Sequence, residues 1–191
     1  MIFNDKFNFN DDIAFRVSKS KAMVGLIKRV SSDFNDSKIL LTLYDSLVRS
    51  NLEYCNQIWA PYYTGANNEL ENVQNKFLRF LAYKEGYTKE EIIHKYSIDA
   101  LEKRRKIASI MFCFDVMKGI IDSPAILSLI NFYCPPVQLR RNEALRVEKY
   151  STNYGKFEPV NVMSMNFNSI NHIFDLNISR ENFKKLIREA L

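Results

Sequence analysis

With 191 residues, 47% of them hydrophobic and a formal net charge of +5, the chain has the size and apolar content of a protein that buries its own core. No apolar run is long enough to span a bilayer, and the N-terminal MIFNDKFNFNDD carries neither the basic flank nor the apolar stretch of a secretory signal. An intracellular chain, nuclear or cytoplasmic and without a membrane partner, is expected. The charge permits a polyanionic partner without demanding one, so the placement of the cations matters more than their sum.

Met1 to Asn10 alternates Phe3, Phe7 and Phe9 with Asn and Asp. Two readings fit: a short strand or loop that packs on another surface, or a frayed terminus. From Asp11 or Asp12 the spacing predicts a helix to about Ser32, with the acidic pair favoured in its first turn. Ile13, Val17, Val24 and Ile27 form its apolar face, widened by Met23 and Val30. Ser18, Ala22, Gly25 and Arg29 line up on the opposite face, with Lys21 and Lys28 one step aside. Small residues let a helix approach another surface closely, and flanking cations suit phosphates. The same face also reads as plain solvated surface, in which Gly25 costs about 1 kcal/mol against alanine.

Asn35 or Asp36 is placed to cap a long central helix. At about 100° per residue, Leu40, Leu43, Leu47, Tyr54 and Ile58 share a side, and Tyr44, Val48, Cys55 and Trp59 widen it. The phase holds from Ile39 to Trp59, which predicts one helix ended by Pro61. Arg49 and Glu53 stand four apart as an expected exposed pair, and Trp59 is expected in the core. A second amphipathic helix follows, with Leu70, Val73, Phe77, Phe80 and Leu81 on one face and Asn72, Lys76 and Arg79 on the other. The short linker predicts that these two helices pack antiparallel.

Thr88 with Glu91, and Asp99 with Glu102, have capping-box spacing for two more helices. The second, Leu101 to Lys118, is apolar nearly all round beyond Ile107 and should be the most buried element; Gly119 closes it. Its first half carries Lys103-Arg104-Arg105-Lys106. Four consecutive cations point four ways, so Arg104 and Arg105 are expected against internal carboxylates and Lys103 and Lys106 in water. Ser123-Pro124 starts a short helix to about Ile130, and Cys134-Pro135-Pro136 marks a boundary. Val137 to Met165 is expected to be extended and partly ordered. Helices at about Ser169 to Asp175 and Arg180 to Ala190, the latter capped by Ser179, end the chain. The fold class is therefore all-α, a helical bundle with an irregular, partly extended C-terminal segment and short terminal helices.

Little in the sequence suggests catalysis. Asp11-Asp12 is the one Asp-Asp pair and sits at a helix start, where capping explains it. His94 and His172 stand alone, and the five glycines form no phosphate loop. Cys55, Cys113 and Cys134 make no C-x-x-C pair and no Cys/His cluster, so free buried thiols are expected rather than zinc or disulfides. No catalytic residue, metal ligand or cofactor is assigned.

The string Leu43-Tyr44, Leu47-Val48-Arg49, Leu52-Glu53-Tyr54, Ile58-Trp59, Pro61, Leu70-Glu71, Val73-Gln74, Lys76-Phe77 and Arg79 resembles the thumb and connector of non-LTR (LINE-like, jockey-type) retrotransposon reverse transcriptases. Relatives carry a proline near Ser50, so a straighter central helix is expected here. The resemblance implies a palm-proximal tail over 1–10, a helical thumb and connector domain over 11–134, and an extended segment with C-terminal helices over 135–191. It further implies a truncated piece of an RNA-directed DNA polymerase, whose metal-bearing palm domain would be its partner. Lys21, Gly25, Lys28, Arg29, Lys76 and Arg79 would then follow the backbone of an RNA/DNA template-primer, indifferent to its sequence. The alternative is an all-helical protein-interaction remnant with a merely solvated basic surface.

Overall fold

The computed structural model describes residues 9–32, 36–61, 63–134, 143–173, 175 and 177–191. Among them the architecture is all-α, with an isolated antiparallel bridge between Phe132 and Leu145. By contacts the chain divides into two compact units, Met1–Arg104 and Arg105–Leu191. The boundary expected after Cys134 lies beside residues outside the described set, as do Phe3 and Phe7 of the N-terminal tail. Phe9 is described and packs against the core of the first unit.

The first unit is built on α1 (Asn10–Val30). It packs against the stretch formed by α2 (Ser37–Leu43), a π-helical turn (Tyr44–Arg49) and α3 (Ser50–Glu53), and against α5 (Thr64–Glu85). The one-turn α4 (Asn56–Trp59) and α6 (Lys89–Tyr96) complete it. Side-chain contacts fix the directions. Tyr44 stacks on Phe77 with ring centroids 4.3 Å apart, and Ser37 hydrogen-bonds Glu85 near the other end of α5, so α2 and α5 are antiparallel. Ser20 meets Asn51 at 2.8 Å while Arg16 reaches Tyr54, so α1 and α3 are antiparallel too.

The central stretch differs from one regular helix. Leu40, Tyr44, Val48 and Leu52 are buried, whereas Leu47, Tyr54 and Ile58 are 40%, 65% and 47% exposed. Residues four apart drift by about 40° per step on an ideal α-helix. The wider π turn absorbs that drift and holds the four-residue series against the core. The helix then stops at Tyr54, and Cys55 takes the left-handed conformation, φ +54°, which is uncommon for a non-glycine residue.

A buried cation secures that corner. Arg16 is 5% exposed and pairs with Asp12, 2% exposed, at 2.5 Å. Its guanidinium also donates to the carbonyls of Asn51 at 3.0 Å and Tyr54 at 3.3 Å, and lies 4.8 Å from the Trp59 ring centroid. Asn51 answers by donating to the Arg16 carbonyl, and the Trp59 indole N–H donates to Tyr54 O at 2.7 Å. The corner thus satisfies carbonyls that the broken helix leaves open. Asp12 therefore serves as an ion-pair partner, not as a cap: the residue before α1 is Phe9, without a side-chain cap.

A second polar link is equally internal. The Tyr44 hydroxyl donates to Gln74 Oε1 at 2.9 Å, and Gln74 Nε2 donates to Asp99 O at 3.1 Å; burial pushes the Tyr44 phenol well above its ordinary range. Glu53 does not pair with Arg49, which takes Asp45 at 2.7 Å; it grips Arg104 through both carboxylate oxygens. Burial opposes the charged form of Glu85, but hydrogen bonds from Lys95, Ser37 and Tyr96 outweigh it and hold the carboxyl below its usual range. Capping follows the sequence at Thr88, whose box with Glu91 is complete, and at Asp36, which accepts from Lys38 N. It departs at Glu102, whose N–H goes to Glu71 at 2.7 Å.

Helix α7 (Leu101–Met117) leads into the second unit, where no residue from Arg105 to Met117 is exposed. Phe114 stacks on Phe183 at 4.4 Å. The remaining α-helices are α8 (Pro124–Leu127), α9 (Asn153–Lys156), α10 (Pro159–Asn168) and α11 (Arg180–Ala190), and where a helix is expected from about Ser169 to Asp175 there is a 3-10 turn, Asn171–Ile173. Ser179 caps α11 as expected, and the Arg180 guanidinium takes both oxygens of buried Asp115 at 2.7 and 2.8 Å. The segment expected to be extended contains α10, started by Pro159 and buried through Met163 and Phe167. It also contains α9, and of its earlier part the described residues 143–152 lie outside any helix, tied down by Asn168, which bonds Ala144 and Leu145, and by Asn161, which bonds Glu148.

Replacing Arg16 by Met keeps the stem but strands Asp12 in the core. Urea unfolding of R16M is expected to show a loss of about 3–5 kcal/mol, against about 0.5 kcal/mol or less for exposed Lys19→Met. Equal effects of the two substitutions would remove the role given to Arg16.

Candidate functional site

The register of α1 against α5 brings two lysine-bearing strips together. Lys21, Gly25 and Lys28 recur every three or four residues and so share one strip of α1. Near the end of α1, Lys84 donates to the Ser31 carbonyl, and the Lys28 ammonium lies 5.4 Å from the Phe80 ring centroid. These contacts run α1 and α5 in the same direction and place Lys76 opposite Gly25. The result is a shallow depression of about 150 Å³ lined by Lys21, Val24, Gly25, Lys28, Val73 and Lys76. That is several times the roughly 30 Å³ a water molecule occupies in the liquid.

The depression has an apolar base and a cationic rim. Val24 and Val73 are buried, while Lys21, Lys28 and Lys76 are exposed. No carboxylate lines it, and no described ion pair takes up any of the three lysines. Lys28 belongs to the last turn of α1, where the helix dipole favours a cation. Gly25 acts differently from the expected close-approach residue: no atom lies within 4 Å of where its Cβ would be. It leaves the rim open instead of admitting a neighbouring helix.

Four of the six residues expected from sequence therefore meet in one place. Arg29 and Arg79 are exposed on the same two helices but do not line the depression. Of the Lys103 to Lys106 run, Arg104 pairs with Glu53 and Lys103 with Asp99 at 3.7 Å, while Arg105 is buried. Lys103 is thus an ion-pair partner and not simply solvated. Trp59 is 1% exposed and serves the core, as its phase indicates.

Among the described residues, no three His, Cys, Asp or Glu side chains group closely enough to hold a metal ion. All three cysteines are free; Cys113 is buried, with its thiol pushed up to about 12 by that burial, Cys55 is half-buried and Cys134 is exposed rather than buried. The side chain of His172 lies outside the described residues, and His94 is exposed.

A larger depression of about 540 Å³ lies where α1 meets the π turn and α3, with Phe15, Lys19, Met23, Leu47 and Tyr54 among its lining. Reading Leu47 and Tyr54 as buried hid it. The four-residue spacing of Leu40, Tyr44, Val48 and Leu52 was the available clue that the other face packs inward.

No protein-family model, curated protein or solved structure matches the chain.

Because nothing crowds Gly25, Gly25→Ala is expected to stabilise the fold by up to about 1 kcal/mol through helix propensity, measured by thermal or urea unfolding. Destabilisation would mean that the open rim is not open.

Proposed function

We propose that the first unit binds the sugar-phosphate backbone of a nucleic acid without reading its sequence. In this reading it corresponds to the thumb and connector of a non-LTR retrotransposon reverse transcriptase, holding a template-primer beside a palm domain that carries the catalysis. The observation that carries the binding claim is the depression in which Lys21 and Lys28 of α1 face Lys76 of α5 across open Gly25. Three ammonium groups free of described ion pairs suit an anion, and a backbone phosphate neutralised there releases condensed counterions. The residue string from Leu43 to Arg79 supports the family part of the reading from the sequence side. Arg29 and Arg79, exposed beside the depression, extend the positive surface along both helices. Contacts of this kind position a duplex but carry no base information.

The larger depression favours a second reading. Phe15, Leu47 and Tyr54 are 55%, 40% and 65% exposed there, and an exposed apolar cluster of this sort suits a protein partner. In that case the cations merely solvate the opposite side of α1.

Binding of a labelled DNA/RNA hybrid, followed over a range of salt, separates the two. Affinity is expected to fall steeply with salt, and Lys21→Ala with Lys28→Ala to reduce the log-log slope by about 2, near 0.9 per lost phosphate contact. No binding at low salt, or an unchanged slope in the double variant, would favour the protein-partner reading.

A further inference from the structure

The exposed row on α5 does not end with its cations. Asn72, Lys76, Arg79 and Tyr83 are spaced four, three and four apart, which at 100° per residue keeps them within a sector of about 60° and spreads them over about 16 Å of helix axis. All four are exposed, and Tyr83 at 87% is the most exposed large hydrophobic side chain among the described residues. Its neighbour Tyr87 has the Lys95 ammonium 4.7 Å from its ring centroid. No described contact covers the Tyr83 ring.

A single exposed aromatic is ordinary on a protein surface. Tyr83 differs because it stands one turn beyond Arg79 and two beyond Lys76, in line with both, at the end of a row that meets the cationic depression at Lys76. A backbone laid along Lys76 and Arg79 brings the next nucleotide to the phenol ring. Inside a duplex, both faces of each base are already stacked on neighbours, so along its length the ring can take only a base that has left the stack. Aromatic side chains beside backbone-binding cations are the elements by which proteins hold single strands.

We infer that Tyr83 stacks on an unpaired base whose adjoining backbone is held by Lys76 and Arg79, so that the preferred ligand is a duplex with a single-stranded extension. This inference rests on the backbone-binding reading of the same helices. It adds the residue that takes the unpaired base and the contact by which it does so.

The test compares a blunt DNA/RNA hybrid with the same hybrid carrying a short extension that contains 2-aminopurine, whose fluorescence falls on stacking. The wild-type chain is expected to bind the extended hybrid about tenfold more tightly and to quench the probe. Tyr83→Ala should abolish both effects, and Tyr83→Phe should retain both. A Tyr83→Ala chain that still prefers the extension overturns the stacking role and leaves backbone binding standing. Failure of the wild-type chain, folded by circular dichroism, to bind either hybrid at low salt overturns both.

Discussion

The guanidinium of Arg16 is the contact on which the first unit depends. A cation withdrawn from water costs several kcal/mol unless it is paired and hydrogen-bonded, and here the group is both. Asp12 lies at 2.5 Å, the Asn51 and Tyr54 carbonyls at 3.0 and 3.3 Å, and the Trp59 ring beneath it. This arrangement joins α1 to the end of α3, satisfies carbonyls at a broken helix and steadies left-handed Cys55. Ser20 and Asn51 continue the same seam one turn further along α1.

Clamping α1 on that side leaves its apolar stripe for α5 and its lysine strip for solvent. Ile13, Val17, Val24 and Ile27 are buried in one core with Val73, Phe77 and Leu81. Lys84 and Phe80 then set how far α5 slides along α1. The cationic depression is a consequence of that register: Lys76 meets Gly25 because the turns beyond it are pinned at Lys28 and Ser31. Function, on this view, is carried by two helices whose relative position is fixed by contacts remote from the lysines themselves.

Much of this was legible locally. Helix periodicity set Lys21 and Lys28 one step aside from the strip that holds Gly25, capping spacing located α6 at Thr88 and α11 at Ser179, and the apolar run after Ile107 marked the buried half of α7. What escaped was set at long range or by turn geometry. A buried arginine looks like a solvated one until Asn51 and Tyr54, far along the chain, are brought to it. Glu53 has Arg49 at helical spacing, but Arg49 takes Asp45 and the fork of Arg104, distant in sequence, meets both Glu53 oxygens. The π turn shifts the phase of the central helix, so a face read as buried at Leu47 and Tyr54 is exposed. Helix α10 was hidden because Val160 and Val162 are poor helix formers; burial of Met163 and Phe167 outweighs that preference. Arg29 and Arg79 lie on the expected helices, but a strip defined by 100° steps is broader than the depression the two helices enclose.

The most direct measurement is a backbone-amide NMR titration of the isotope-labelled chain with a short DNA/RNA hybrid at low salt. Seating of phosphates between α1 and α5 predicts that the amides of Val24, Gly25, Lys28, Val73 and Lys76 shift first and saturate together, with those around Phe15, Leu47 and Tyr54 unmoved. Shifts confined to the Phe15, Leu47 and Tyr54 side, with Gly25 and Lys76 silent, would contradict it.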